Sequence, residues 1–104
     1  GATASMRGGA NFAAFASAKN GLRALAQSMA RELGPQNIHV AHVIIDAAVD
    51  TDWIKSINPE YDKKIKTDGI VNPSHLAENY LYLYDQPRDA WTFELDLRPW
   101  QETW

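Results

Sequence analysis

The sequence predicts an α/β chain built on a parallel sheet, and three of its stretches carry that prediction. Residues 12–33 hold apolar side chains at helical spacing, residues 38–45 form a nearly continuous β-branched run, and residues 91–97 alternate apolar with polar. The predicted order is helix, buried strand, helix and half-covered strand. A strand, helix and strand in succession form a right-handed crossover in one parallel sheet.

Gly1 to Gly9 is small and glycine-rich and reads as a loop. Asn11 caps a helix of about residues 12–33, in which Phe12, Phe15, Ala16, Leu22, Leu25, Ala26, Met29 and Leu33 recur at steps of three and four. Arg23, Arg31 and Glu32 read as its solvated face. Gly34-Pro35 ends it, glycine being suited to a left-handed cap and proline unable to continue a helix. The run IHVAHVII, residues 38–45, lacks alternation and suits a strand covered on both faces. A loop and a short helix near Asp52 to Ile57 follow, then a mixed segment, residues 58–70, which reads as a mobile surface excursion. Asn72-Pro73 or Ser74 opens a second helix of about residues 73–84, with Leu76, Ala77, Tyr80, Leu81 and Tyr84 on its inner face. The last strand covers residues 91–97. All 104 residues are expected to form one partial domain, and strand 38–45 expects a neighbour on each side, from an upstream segment or a second copy.

Composition narrows the function. An apolar fraction of 45% and a charged fraction of 22% place the chain among globular proteins. The net charge of -3, with no basic run beyond Lys63-Lys64, excludes a phosphate-tracking surface, so neither nucleic acid nor an anionic membrane is an expected partner. Cysteine is absent, which removes disulfides, thiolate nucleophiles and thiolate metal ligands and suits the cytoplasm. No metal is expected either: His39 and His42 are an odd number apart on a strand and point to opposite faces. Trp91, Trp100 and Trp104, with Tyr80, Tyr82 and Tyr84, concentrate amphipathic rings near the C-terminus, a composition common at interfaces.

The segment FAAFASAKNGLRALAQSMARELGPQNIHVAHVIIDAAVDT resembles the active-site helix, following strand and cofactor loop of the short-chain dehydrogenase/reductase family, and NPSHLAENYLYLYDQPRDAWTFELDLRPW resembles its last helix and strand. The resemblance implies the C-terminal part of a doubly wound, Rossmann-like parallel sheet completed by oligomerisation. It also implies a helix bearing a Tyr and, four residues on, a Lys: the Tyr hydroxyl moves a proton to or from the substrate oxygen, and the Lys lowers its pKa and holds the nicotinamide ribose. Phe15 stands at the Tyr position and Lys19 at the Lys position. Ser5 matches the family serine that bonds the substrate oxygen, although the interval from Ser5 to Phe15 is shorter than the family's. Val49 and Thr51 match loop residues that touch the nicotinamide carboxamide and phosphate, Thr51 serving equally as a helix cap. Asp46-Ala47 replaces the Pro-Gly that opens this loop.

No strand, glycine-rich turn and helix N-terminus for a pyrophosphate occur in the sequence, and Gly8-Gly9 reads as a turn. The expectation is therefore a truncated or divergent member of the family. It has no cofactor and no hydride transfer of its own, a degenerate site at Ser5 and Lys19, and homo-oligomeric surfaces on the long helix and around Trp91, Trp100 and Trp104. One alternative is an NAD- or NADP-dependent oxidoreductase of small carbonyls or alcohols, completed by an upstream half. The other is a pure assembly module.

Overall fold

The computed structural model describes residues 1–104. Helix α1 spans Ala13–Leu33, strand β1 His42–Ile45 and strand β2 Ala48–Val49. Helices α2 (Asp52–Ile57) and α3 (Tyr61–Ile65) come next. Strand β3 is Ile70–Val71, helix α4 Pro73–Tyr84 and strand β4 Glu94–Leu97. The strands pair in parallel, β1 with β4 in the register His42 to Glu94 and Ile45 to Leu97, and β2 with β3 in the register Ala48 to Ile70. On the other edge of β1, Ala2 forms a parallel bridge to Ile45. Helices flank the sheet in the doubly wound, Rossmann-like arrangement. Val43 faces Tyr80, Leu83 and Tyr84 of α4, while the neighbouring His42 turns toward a Glu94 side chain held by Arg23 of α1.

Local chemistry explains where elements begin and end, and corrects several expected boundaries. Asn11 does not cap α1; its own φ is 69°, a left-handed geometry that asparagine tolerates, and Phe12 precedes the first helical residue without a side-chain cap. Gly34 keeps right-handed helical angles. The chain tightens into a 3₁₀ turn over Gly34–Gln36, whose early Pro35 has no N–H to waste, and Asn37 takes the left-handed exit at φ 63°. Strand β1 is half the length of the apolar run because its partner turns away: Arg88–Ala90 form a 3₁₀ turn and leave residues 38–41 without a ladder to join. His39 instead bonds the Thr92 carbonyl at 2.8 Å and stacks on Trp91, with ring centroids 4.7 Å apart.

Within residues 58–70 the structure has a short helix and a buried residue rather than an excursion. Tyr61 donates its hydroxyl to Asp50 at 2.6 Å, Asp68 reverses the chain at φ 61°, and Ile70 is buried in β3. The last turn of α3 is too short for periodicity to reveal. Asn72 caps α4 by accepting from the Ser74 amide at 2.9 Å. Beyond α4, the Gln86 carboxamide accepts from the Thr92 amide and donates to the Thr92 hydroxyl, both at 2.7 Å.

Helix α1 turns a different face to the sheet than its apolar stripe suggests. Ala16 is buried and Arg23, Ala26, Ala30 and Leu33 are half-buried. Phe12, Leu22, Leu25 and Met29 stand outward, Leu25 at 55% exposure. The apolar core is correspondingly small, consisting of Ala16, Val43, Ile44, Ile70, Leu76 and Leu83. The radius of gyration, 15.5 Å, exceeds the roughly 13 Å of a compact domain of this length.

Candidate functional site

The C-terminal end of β1 is where the parallel sheet, the first residues of the chain and the start of α1 converge, as ligand sites do in open α/β sheets. A cleft of about 520 Å³ opens there, with Thr3, Phe12, Phe15 and Asp46 in its wall. Residues 3–5 form a 3₁₀ turn that presents Thr3 to the cleft and withdraws Ser5. The Thr3 hydroxyl donates to an Asp46 carboxylate oxygen. Asp46 continues β1, its amide bonded to the Leu97 carbonyl at 2.9 Å, and its other oxygen lies 3.7 Å from the Arg98 guanidinium. Phe12 and Phe15 meet at a tilt, their centroids 6.5 Å apart.

The residues expected to act together are only partly brought together. Ser5 is fully buried, and its oxygen accepts from the Ala2 amide at 2.9 Å, so it does not open on the cleft. Ser5 serves the turn, and Thr3 offers the hydroxyl. Lys19, one turn beyond Phe15, places its ammonium 5.6 Å from the centroid of that ring and makes no ion pair. Val49 is half-buried in the β2–β3 ladder. Thr51 caps α2, accepting from the Ile54 amide at 3.2 Å. Neither of them lines the cleft. Thr3 and Asp46 were missed as a pair, although the short interval from Ser5 to Phe15 and the carboxylate in place of a Pro-Gly were visible signs.

Beside the cleft runs a polar chain that ties three elements together. Arg23 clasps Glu94 with two nitrogens at 2.7 and 3.0 Å, and His42 Nδ1 lies 3.2 Å from the same carboxylate. Hydrogen bonding from Arg23, aided by His42, holds the Glu94 carboxyl below its usual pKa against the opposing effect of burial. Arg23 is thus an internal clamp and not part of a solvated face. His42 Nε2 is buried with no hydrogen-bond partner. A side chain at position 1 would overlap both the His42 ring and the Ser5 hydroxyl, so this close approach needs Gly1.

No three His, Cys, Asp or Glu side chains gather to hold a metal, and no helix is long and apolar enough to cross a membrane. Trp100 and Trp104 are exposed, whereas Trp91 is half-buried against His39. Arg98 lies over the Trp104 ring at 4.1 Å.

Parallel strands with helices on both faces, and a cleft at the strands' C-terminal end, define a doubly wound, Rossmann-like α/β protein. The enoyl-(acyl carrier protein) reductase profile of the short-chain dehydrogenases matches residues 1–92. A short-chain dehydrogenase from Rhodopseudomonas palustris of known structure is 52% identical over 96% of this chain, with a TM-score of 0.69. The chain belongs to the short-chain dehydrogenase/reductase family. It spans 36% of the length of that structure. No curated protein matches the chain.

Proposed function

We propose that the chain forms the substrate-facing and assembly portion of a nicotinamide-dependent oxidoreductase of small carbonyl or alcohol compounds and does not transfer hydride by itself. The observation that carries this reading is Phe15 in the cleft wall; the family resemblance assigns it to the Tyr position, and a phenyl ring has no proton to exchange with substrate.

The residues present fit one end of a dinucleotide only. Lys19 makes no ion pair and is available to ribose hydroxyls, whereas Val49 and Thr51, which the resemblance assigns to the carboxamide and phosphate, lie outside the cleft, and the Thr51 hydroxyl already accepts from the Ile54 amide. No strand, glycine-rich turn and helix supplies the backbone N–H groups that a pyrophosphate requires. When bound, the nicotinamide ring supplies the hydride acceptor or donor. The chain's own part is to wall the cleft with Phe12 and Phe15 and to hold the substrate oxygen near Thr3 and Asp46. An upstream segment with a glycine-rich βαβ unit would complete the site.

Titration with NADH and NADPH, followed through quenching of the tryptophans, tests the reading. No saturation up to millimolar nucleotide is expected for the 104-residue chain. Micromolar binding, worth about 8 kcal/mol, would show that assembly rebuilds a full dinucleotide site and would overturn the claim of inactivity.

The assembly part of the proposal rests on the outward face of α1. Leu22, Leu25 and Met29 are exposed on one side of α1, and apolar side chains grouped on a surface mark an interaction face. The chain should sediment as a homo-oligomer in which this face and the C-terminal helix and strand, with Trp100 and Trp104, are covered. Leu25→Glu should lower the sedimenting mass to that of one 11.6 kDa chain; an unchanged mass would remove α1 from the interface.

A further inference from the structure

A second cleft, of about 520 Å³, lies between α4 and the chain that leads into β1, at the opposite end of that strand from the first. Alternation along the chain puts His39, Ala41 and Val43 on the face that meets α4. Across from them Tyr80, Leu83 and Tyr84 recur at steps of three and four and form the helical wall. Ala41 has the smallest side chain of the six and leaves the floor open between His39 and Val43. Trp91 extends the His39 end: the two rings are parallel to within 2°, with centroids 4.7 Å apart. No Asp, Glu, Lys or Arg lines the cleft, in a chain of which 22% is charged. Two of its polar side chains are already spent on Thr92, since His39 bonds the carbonyl at 2.8 Å and Gln86 grips the amide and hydroxyl, both at 2.7 Å. What remains for a ligand is mostly ring surface, with Tyr80 49% exposed.

We propose that this cleft binds a flat aromatic molecule without net charge, of about the size of indole. Its volume falls within the roughly 300–1,000 Å³ of small-molecule sites. Aromatic rings meet one another offset-stacked or edge to face, and the walls offer both kinds of contact. An anion would find no cation to pair with and would face the negative sides of the rings. A cation would gain from those ring faces, yet it would shed water with no carboxylate to replace it. The site is separate from the cleft beside Phe15 and does not depend on nicotinamide binding.

The test titrates the 104-residue chain with indole, indole-3-acetate and tryptamine, one neutral ring and two charged ones, while NMR follows the Trp91 indole N–H and the Ala41 methyl group. Indole should shift both signals and half-saturate at about 1 mM, an affinity within reach of so small a ligand. The charged compounds should need at least about tenfold more. Ala41→Leu, which fills the floor, should abolish the shift at Trp91. Tyr80→Ala removes one exposed ring and should weaken binding about threefold or more, which keeps the proposal open to refutation even if Ala41→Leu fails to fold. Absence of a saturable shift at Trp91 and Ala41, indole shifts confined to Thr3 and Phe15, tighter binding of either charged ring, or an affinity unchanged in both variants would overturn it.

Discussion

Ile44→Ala is expected to lower the thermal midpoint by at least about 10 °C, or to abolish a cooperative transition altogether. Ile44 lies in the middle of β1 at 3% exposure, opposite Asp96 of β4. Truncating a buried isoleucine costs about 2–5 kcal/mol, and about 1 kcal/mol moves the midpoint of a domain this size by roughly 4–8 °C. The loss is severe because so few apolar residues share the core. Leu25→Ala is the comparison, since Leu25 lies on the outward face. At dilutions where the chain is monomeric its midpoint should barely move, and the shift should grow as copies associate. Circular dichroism melts at several concentrations separate the two behaviours; a large, concentration-independent effect of Leu25→Ala would contradict the described packing of α1.

The second large effect belongs to Glu94. Its carboxylate holds Arg23 on α1 and His42 on β1, so Glu94→Ala leaves a buried imidazole without its partner. That alone costs about 1–3 kcal/mol. The pH dependence has a definite sign. Folding lowers the Glu94 pKa, so below the ordinary glutamate value of about 4.3 the unfolded chain binds the proton more readily. The stability from this group is fully present above that value and is lost as pH falls through the folded pKa. Urea titrations across the acid range should therefore show the difference between native chain and Glu94→Ala shrinking as pH drops. A difference that stays constant or widens in acid would rule out a lowered pKa at Glu94.

Much of the architecture is legible in the sequence because it is written in short-range periodicity. The order of α1, β1, α4 and β4 follows from helical spacing, a β-branched run and period-two alternation. Asn72 and Pro73 mark the start of α4 by the chemistry of capping. What stays hidden depends on distant partners. Nothing in IHVAHVII says that its first half goes unpaired, since the cause is the turn at Arg88–Ala90. Arg23 looks like any exposed helix arginine until Glu94, 71 residues away, is brought against it. The outward direction of Leu22, Leu25 and Met29 is likewise set by which face of α1 meets the sheet, and hydrophobic spacing does not distinguish a core from an interface. The candidate site was readable to a lesser degree. Family resemblance led to Phe15, Lys19 and Ser5, whereas the burial of Ser5 and the presence of Thr3 in the cleft wall depend on the 3₁₀ turn over residues 3–5.

The Gln86 clamp on Thr92 carries one more consequence, which concerns length. By gripping Thr92 from both its backbone and its side chain, Gln86 fixes how much chain is spent between α4 and β4. Adjacent residues of a strand face opposite ways, so one residue gained or lost beyond the clamp would swing Glu94 out of reach of Arg23 and turn Leu95 to the other side. The connection therefore works as a ruler. Its length, more than the identity of residues 87–91, is what keeps Glu94 facing Arg23.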